Sequence, residues 1–505
     1  MGLSDGQRDI AALAKGGRTN FLGFLLRLAG TAPFLFIAGR LYGVEALGRY
    51  ASAMVVVELV ALLCVLGQKR GLAQRLSEGE VAPANTVADG LLLTALLSIG
   101  LGALLYIFPL PMFPSGQYTE WDRLLPIAIA ANAMTEVALA ALAYRYDIGA
   151  SVRSRSLVEP WVQSLSAVAL LWVAPESGLA LAYIVSKYAA AVVAFVPMVR
   201  SYGLPRAWNP HPLRMGKLGL DSMPLAVADL VEWGTRRLDV TILGIFASPA
   251  AVGIYFAAQQ VASLPQKLKT SFEPILGPVI TRNLKEKNYP AIARQVCQVG
   301  FWVTAAQMGI ALALGIPGEG VMGLIGPQFV GGTGALVFLL AAEVAASTAV
   351  VSEAALIYVM RIRNLWVSLA TIALQAALTA GFVIAVRAAP GWDLPFGLHF
   401  PEDKVSYYQA AAVAAALMIS LGLASLVKAV MLARFLGEPI NNWRWSLIWA
   451  AIPAIVVGWL SARFLPEWAQ LAFGVFAILG TYGWVIWHKG FGPEDRVLFR
   501  KNVGA

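Results

Sequence analysis

The chain has 505 residues, of which 58% are hydrophobic and only 13% are charged. Soluble domains contain about 25% charged residues, so this composition excludes an ordinary soluble domain and indicates a membrane protein. The net charge is +9, but the basic residues are spread over many short segments. Because nucleic-acid-binding proteins gather basic residues on one surface, the charge does not indicate a nucleic-acid partner.

Long apolar stretches follow one another along almost the whole sequence. A helix that crosses a bilayer needs about 20 mostly apolar residues, and the sequence predicts fourteen such spans. No sizeable soluble domain remains between them. Spans 1 to 14 are residues 19–41, 46–67, 86–109, 123–144, 156–175, 179–199, 219–246, 250–272, 296–316, 333–358, 365–387, 406–432, 444–462 and 468–488.

The basic residues alternate between the gaps that separate these spans. Most Lys and Arg residues lie in every second gap or in the two tails, and the intervening gaps contain only Lys404 and Arg463. Basic residues favour the cytoplasmic side of a membrane. The pattern therefore predicts a multi-pass protein of the bacterial inner (cytoplasmic) membrane, with both termini in the cytoplasm and membrane lipids around it.

Two segments of the chain are similar to each other. Residues 38–52 read AGRLYGVEALGRYAS, and residues 243–257 read LGIFASPAAVGIYFA. The copies share two glycines and a tyrosine at a constant offset of 205 residues: Gly39, Gly48 and Tyr50 in the first, and Gly244, Gly253 and Tyr255 in the second. Each copy covers the end of one span, a tight outer turn and the start of the next span, which pairs spans 1 and 2 with spans 7 and 8.

The repeat predicts the domain organisation. Six spans separate the copies, so both halves have the same orientation and a pseudo-two-fold axis along the membrane normal relates them. Transporters with this plan bind substrate between the halves. We predict an N-terminal bundle (residues 1–200), a C-terminal bundle (201–432) and an addition that comprises spans 13 and 14 with a cytoplasmic tail (433–505).

Span 7 has an unusual number of charges. At 100° per residue, five of its charged side chains share an arc of roughly 80°. A charge at the bilayer centre costs about 2.5–3.5 kcal/mol, so this stripe must face a wet cavity or other charges. The stripe either packs span 7 against a neighbour or lines a cavity for substrate or ion coupling, and the spacing allows Glu232–Arg236 and Arg236–Asp239 ion pairs. The stripe consists of Asp221, Asp229, Glu232, Arg236 and Asp239.

Other spans provide further candidates. On span 1, Arg27 is a candidate for binding an anionic headgroup, because a guanidinium can donate two parallel hydrogen bonds to two phosphate oxygens. Arg49 near the outer mouth is a weaker candidate. On span 8, Gln259 and Lys267 share a polar face, although Lys267 can also reach the inner surface. Candidates for binding a coupling ion are Asp229, Glu232, Glu58 and Glu343; Glu136, Lys187 and Glu353 are further single charges within spans.

Several kinds of chemistry are absent from the sequence. It contains no GxxxxGK[ST] motif, and its three histidines, His211, His399 and His488, lie in loops or at helix ends. No pattern supports a metal site, a cofactor or a catalytic cluster. These absences favour a transporter over an enzyme, and they leave coupling to a proton, to sodium or to the membrane potential open.

Two stretches resemble Wzx-type polysaccharide flippases of the multidrug/oligosaccharidyl-lipid/polysaccharide (MOP) exporter superfamily. Residues 39–76 resemble that family's N-terminal pattern, with a short outer turn, Gly-x-Tyr at the start of span 2 and a leucine-glycine exit. Residues 236–280 resemble its central signature, with an Asp on span 7, a leucine-glycine, a Val-Gly-Ile-Tyr turn and a Pro after span 8.

This resemblance implies an all-α fold of fourteen transmembrane helices, with two six-helix bundles around a V-shaped central cavity and two extra C-terminal helices. It implies alternating access and transport of undecaprenyl-pyrophosphate-linked oligosaccharide for O-antigen, capsule or exopolysaccharide synthesis, with a polymerase of the same pathway as a partner. Arg27 and Lys267 then fall at positions where members often carry cationic cavity residues. Three alternatives stay open: a lipid II flippase, a cation-coupled multidrug exporter and an enzyme of glycan assembly.

Overall fold

The computed structural model describes residues 29–79, 82–269, 280, 283–389, 401–492 and 495. Within these residues the regular structure is entirely helical, and no strand is present. The predicted all-α class is therefore confirmed. The chain divides into two compact units, the first ending at Ile245 and the second beginning at Phe246.

The first unit contains eight helices among the described residues. They are α1 (29–37, continued by a π turn over Ala38–Tyr42), α2 (Gly43–Val65), α3 (Gln68–Glu78), α4 (Pro83–Ile107), α5 (Ile127–Tyr144), α6 (Ile148–Ser151, a π segment over Val152–Val158, and Glu159–Leu170), α7 (Gly178–Tyr202) and α8 (Pro212–Phe246).

The second unit also contains eight helices in the part of the chain that the structure describes. They are α9 (Pro249–Lys269), α10 (Tyr289–Gly315), α11 (Gly318–Ile325), α12 (Thr333–Val359), α13 (Arg361–Ala388), α14 (Val405–Leu436), α15 (Trp445–Phe464) and α16 (Glu467–Gly490, with π turns over Gln470–Gly474 and Ile486–Gly490).

The helices fit a multi-pass membrane protein. Ten described helical stretches are long and apolar enough to cross a membrane, and one of them, Ala29–Glu78, contains α1, α2 and α3 together. Helices α6, α8 and α9 are not among the ten. Every predicted span nevertheless overlaps a described helix, while the number of fourteen crossings stays a prediction.

The two copies of the sequence repeat have similar local structures. Gly43, with φ at 83°, separates the π turn of α1 from α2, and residues 247–248 form a short break between α8 and α9. The repeated tyrosines, Tyr50 and Tyr255, are both buried. These features confirm a tight turn in each copy, whereas the pseudo-two-fold axis and the V-shaped cavity stay predictions.

Helix α8 is grouped with the first unit, whereas the sequence-based plan placed it in the second bundle. Ion pairs give the physical reason, because α8 side chains bind oppositely charged residues of α2, α3 and α4. The division into residues 1–200, 201–432 and 433–505 stays a prediction.

The last two helices are part of the core of the second unit. Phe301 of α10, Leu447 of α15, and Ile478 and Tyr482 of α16 belong to one cluster of buried side chains. Asn442, just before α15, is buried and donates hydrogen bonds to the Gly300 carbonyl oxygen and to Thr304 Oγ1. The segment predicted as an addition is therefore anchored by apolar packing and by hydrogen bonds.

Candidate functional site

A group of charged side chains lies inside the first unit, on helices α2, α5, α6, α7 and α8. We call it the intramembrane cluster, and it consists of Glu58, Glu136, Arg155, Glu159, Lys187 and Arg237. The cluster contains three acidic and three basic side chains, so its formal charge is zero. Because isolated charges are costly in a membrane, such mutual neutralisation is required for burial.

Arg155 is the centre of this cluster. Its guanidinium binds Glu136 of α5, Glu159 at 3.0 Å and the side-chain oxygen of Asn132 at 3.0 Å. Arg155 lies in the π segment of α6, and π segments often occur at functional sites because they change which side chains face a neighbouring helix. The segment brings one guanidinium against two carboxylates of different helices.

Lys187 of α7 extends the cluster from Glu159. Its ammonium group lies 2.7 Å from the second carboxylate oxygen of Glu159, and only 5% of its side chain is exposed. The same ammonium group lies 4.9 Å from the ring centroid of Tyr183. The contact combines an ion pair with a cation–π interaction, so the ammonium group has two favourable contacts in a place that little water reaches.

A second ion pair and two tyrosines lie on the other side of the cluster. Glu58 of α2 binds Arg237 of α8 at 3.5 Å. The ring of Tyr50 packs edge-on against Tyr183, and the Tyr50 hydroxyl accepts a hydrogen bond from Gln163 at 2.8 Å. Charged and aromatic side chains thus connect five helices of the first unit.

Helix α3 neutralises most of the acidic stripe on α8. Arg75 donates to Asp221 at 2.8 Å. The guanidinium of Arg70 lies 3.3 Å from Asp229 and 3.7 Å from Glu232. The sequence placed these arginines among the topology-determining residues of a cytoplasmic segment, whereas the structure shows them bound to α8 carboxylates.

The remaining charges of the stripe have separate partners. Glu232 and Arg236 form the ion pair that their spacing allowed, at 3.1 Å. Asp239 is buried, and its carboxylate accepts a hydrogen bond from the N–H of Val240 at 2.8 Å. The structure therefore supports the interpretation that the stripe packs α8 against a neighbour, and this neighbour is α3.

Arg49 lies apart from the cluster. It donates to the carbonyl oxygen of Glu176 at 3.0 Å, and its Nε lies 3.6 Å from Asp122. Asp122 is buried and also accepts a hydrogen bond from the N–H of Thr119. Arg49 thus connects α2 to the segments before α5 and before α7, which is a structural role.

Two further predicted candidates lie on helices of the second unit. Gln259 is half-buried on α9, and Glu343 is half-buried on α12. Lys267 lies within α9, but the description does not include its side chain, and Arg27 lies outside the described residues. The single charge Glu353 binds Lys428 of α14 at 3.1 Å.

Two residues at the centre of the site, Arg155 and Glu159, were not identified from the sequence. Both lie at the predicted start of span 5, where charges are usually attributed to a loop. The signal that could have revealed them is their i,i+4 spacing, which allows an ion pair on one helix face. Among the described residues, no group of three or more His, Cys, Asp or Glu side chains could hold a metal ion.

Comparison with protein families gives the broader assignment. A family described as "Polysaccharide biosynthesis protein" matches residues 31–284, slightly more than half of the chain. The chain belongs to the polysaccharide biosynthesis protein family. The matched region of this family member contains the whole intramembrane cluster, α3 and α8. No curated protein matches the chain.

Solved structures extend the likeness of this family member to almost its full length. A structure of the lipid II flippase MurJ in an inward closed conformation has a TM-score of 0.69 at 12% identity, over 95% of this chain and 99% of that one. An inward-facing multidrug resistance MATE family transporter of the MOP superfamily has a TM-score of 0.64 at 13% identity, over 82% and 98%. At these identities the likeness shows that the protein has the fold of MOP superfamily transporters.

Proposed function

We propose that this protein is a flippase for undecaprenyl-pyrophosphate-linked oligosaccharide repeat units in the synthesis of O-antigen, capsule or exopolysaccharide. The family match over residues 31–284 carries the proposal, because it covers the charged interior of the first unit. A neutral, fully paired group of charges inside a membrane bundle suits a transporter, in which ion pairs can be exchanged without leaving a charge in lipid.

The proposed mechanism assigns roles to the candidates predicted from the sequence. Arg27 and Lys267 hold the pyrophosphate, the glycan occupies water between the two predicted bundles, and the polyprenyl tail stays in lipid. Rocking of the bundles then exposes the glycan to the outer side. The driving force is the membrane potential, or a proton or sodium ion bound at one of four carboxylates: Asp229, Glu232, Glu58 and Glu343.

A lipid II flippase is the second candidate, because the fold matches that of MurJ with a TM-score of 0.69 over 95% of the chain. Lipid II is also a polyprenyl-pyrophosphate-linked saccharide, so the same cationic groups would serve it. The MATE likeness, with a TM-score of 0.64, gives a cation-coupled multidrug exporter as a third candidate.

Deletion of the gene tests these candidates together. For the proposed function we expect loss of surface glycan and accumulation of unpolymerised lipid-linked repeat units at the inner face. Unchanged glycan with altered drug sensitivity would support the exporter. If deletion is lethal, blocking the glycan pathway upstream separates the two flippases. The block should restore growth if the lethality comes from carrier lipid trapped in the glycan pathway, and it should not restore growth if lipid II transport is lost.

The substitution R27A tests the assigned pyrophosphate contact. We expect glycan export to fall by about one order of magnitude or more, because removing a charge-assisted contact to phosphate in a low-dielectric site costs about 2 kcal/mol. The control is R153A. Arg153 is half-exposed and pairs with Asp147, the residue just before α6, so export should persist. Normal export in a well-expressed R27A protein would refute the assignment.

A further inference from the structure

Helices α3 and α8 approach each other at glycines. A methyl group on Gly67 would overlap the carbonyl oxygen of Ser222 and lie 2.6 Å from the backbone nitrogen of Ala226. A methyl group on Gly71 would overlap the hydroxyl of Ser222 and lie 3.0 Å from its Cβ. The two glycines therefore let the start of α3 touch the backbone of α8, and no larger residue fits without a shift.

The chain makes a sharp reversal to place α3 there. Leu66 and Gly67 both have left-handed backbones, with φ of 49° and 72°. This conformation is unfavourable for a leucine and is kept only when the surroundings impose it. Gln68, the first residue of α3, is buried and donates to Thr94 of α4 at 3.1 Å. The start of α3 is thus fixed to the first unit.

Each ion pair between α3 and α8 has at least one half-exposed partner. Arg70 is 52% exposed, and its guanidinium lies 3.3 Å from Asp229, which is buried, and 3.7 Å from Glu232, which is half-exposed. The third pair joins Arg75, which is 14% exposed, to Asp221, which is 51% exposed. Because Arg70 is half-exposed and its contacts are long, its pairs are weaker than short pairs between buried groups. We call the glycine contact and these pairs the α3–α8 clasp.

A stronger contact holds the beginning of α8. Asp89 of α4 is buried and accepts hydrogen bonds from Arg214 at 2.6 Å and from the indole N–H of Trp208 at 2.8 Å. Arg70 contacts α8 at longer distances, 3.3 Å from Asp229 and 3.7 Å from Glu232. Breaking several short hydrogen bonds to one buried carboxylate costs more than separating such contacts. Helix α8 therefore has a firm anchor at its start, followed by the weaker contacts of Arg70.

A proline lies within the part of α8 that the clasp covers. Pro224 falls inside the helix, between Asp221 and Asp229, and it cannot supply the backbone hydrogen bond of a regular helix. A helix bends most easily at such a position. Bending at Pro224 would separate Asp229 from Arg70 while the anchor at Asp89 stays intact.

We propose that α3 is a releasable clasp: it holds α8 against the first unit in one conformation and lets α8 bend away at Pro224 in another. The glycines bring α3 against α8, the long contacts of half-exposed Arg70 make the closed state reversible, and Pro224 sets the position of the bend. That transport requires this release rests on the proposed flippase function. That α3 can release α8 does not depend on that function.

The first measurement needs no substrate. Spin labels are attached at S77C on α3 and at A228C on α8, both exposed positions outside the clasp contacts, in a chain that also carries C64A and C297A. Because Ala228 lies beyond Pro224, bending there should change the distance between the labels, which is measured in lipid nanodiscs by pulsed electron paramagnetic resonance. We expect a short and a long population. The added substitution R70Q should raise the long-to-short ratio about two- to fivefold, as expected for the loss of half-exposed ion pairs. A single short distance in both proteins would overturn the proposal.

The second measurement locks the clasp. A reducible bis-thiosulfonate bridge joins R70C on α3 to A228C on α8, which lies beyond Pro224 and next to Asp229, the residue 3.3 Å from Arg70. A control bridge joins Q74C to S77C within α3, where the Ser77 hydroxyl donates to the Gln74 carbonyl oxygen at 2.6 Å. In proteoliposomes we expect the α3–α8 bridge to lower the transport of lipid-linked oligosaccharide at least about tenfold, because one of two states is removed. A reductant should restore transport, and the control bridge should leave it unchanged.

The two measurements separate the possible failures. Undiminished transport with the α3–α8 bridge complete would overturn the clasp as a transport element. If the unbridged protein moves no lipid-linked oligosaccharide, the proposed function is wrong, and the distance distribution alone still decides whether α3 releases α8.

Discussion

Arg155 concentrates the electrostatics of the first unit in one side chain. Its guanidinium faces two carboxylates, Glu136 and Glu159, and Glu159 in turn binds Lys187. Removing a single charge would leave the others uncompensated in a medium that stabilises charge poorly. The effect of replacing any one of these residues therefore depends on the charges that surround it in the cluster.

The substitution R155A should destabilise the protein strongly. Breaking a buried pair by removing one partner typically costs about 3–5 kcal/mol, because the remaining charge stays buried. We expect a lower midpoint in thermal unfolding in detergent, with R155K recovering part of the loss. The matched control is R153A, whose pair with Asp147 is about half exposed and should cost about 0–1 kcal/mol. Equal stability of R155A and R153A would contradict this interpretation.

Asp495 is a second residue whose environment determines its charge. Burial raises the pKa of its carboxyl, but hydrogen bonds from Arg444, from the N–H of Gly492 and from Trp302 outweigh burial and hold the pKa below the ordinary aspartate value. Arg444 binds it at 2.7 Å and also lies over the ring of Phe301. The carboxylate thus connects the end of the chain to α10 and to the start of α15.

This lowered pKa predicts a pH dependence. A carboxyl with a lower pKa in the folded state stabilises that state above its unfolded pKa, and the contribution is lost as pH falls through the folded pKa. Protease protection of the C-terminal segment should therefore persist from neutral pH down to about pH 4 and decline below it. The variant D495N should be less protected at pH 7, and its difference from the native protein should vanish in acid. The exposed Asp403 provides the control D403N, and a D495N difference that does not change with pH would refute the prediction.

The sequence identified charged residues of the site better than it identified their partners. The stripe on α8 was predicted from helical periodicity, and the Glu232–Arg236 pair was confirmed at 3.1 Å. The partners Arg70 and Arg75 were missed because they lie on another helix, and periodicity describes one helix at a time. Contacts between helices depend on rotation and register, which a single sequence does not specify.

At the scale of elements, α8 is held by two kinds of contact with different strengths. Asp89 of the anchor is buried and accepts several hydrogen bonds, and the clasp with α3 combines ion pairs that each have a half-exposed partner with glycine packing. Charge alone would allow α3 to shift along α8. The glycines fix the register, since only Gly67 and Gly71 leave room for Ser222.

A pair of substitutions tests this register. The variant G71A should weaken the clasp, because the new methyl group meets the Ser222 side chain, and overpacking typically costs about 1–3 kcal/mol. Adding S222G removes that side chain and should restore most of the short-distance population between spin labels on α3 and α8. The control G216A lies within α8 with open space around the new methyl group, so it should not change the distance distribution. Failure of S222G to compensate would show that Ser222 does not set the register.

The C-terminal helices show why an element outside a sequence repeat is not necessarily peripheral. The repeat gave no role to α15 and α16, yet their side chains complete a buried cluster with α10. Gly309 of α10 lets the Tyr482 ring approach closely, since a methyl group there would lie 3.0 Å from the ring. Such complementarity depends on the shapes of distant segments, and hydropathy does not reveal it.

At the scale of the whole molecule, every predicted span overlaps a described helix, and the division of the chain into bundles stays a prediction. Hydropathy locates helices because each must be apolar along its own length. The grouping of α8 with the first unit depends instead on ion pairs with α2, α3 and α4. Its other end continues through a two-residue break into α9 of the second unit. Contacts of this kind between helices are not predicted by hydropathy.

The side of the membrane on which α3 lies follows from the alternation of basic residues. Ser77 of α3 is exposed, and Ser115 lies exposed between α4 and α5, on the side predicted to be outer. In cells with a permeabilised outer membrane, an impermeant maleimide should label S115C in a C64A/C297A chain, while S77C should react only after the inner membrane is opened. Labelling of S77C in cells whose inner membrane is intact would invert the predicted topology. Labelling of S115C alone, with S77C protected until the inner membrane is opened, would place the α3–α8 clasp at the cytoplasmic face.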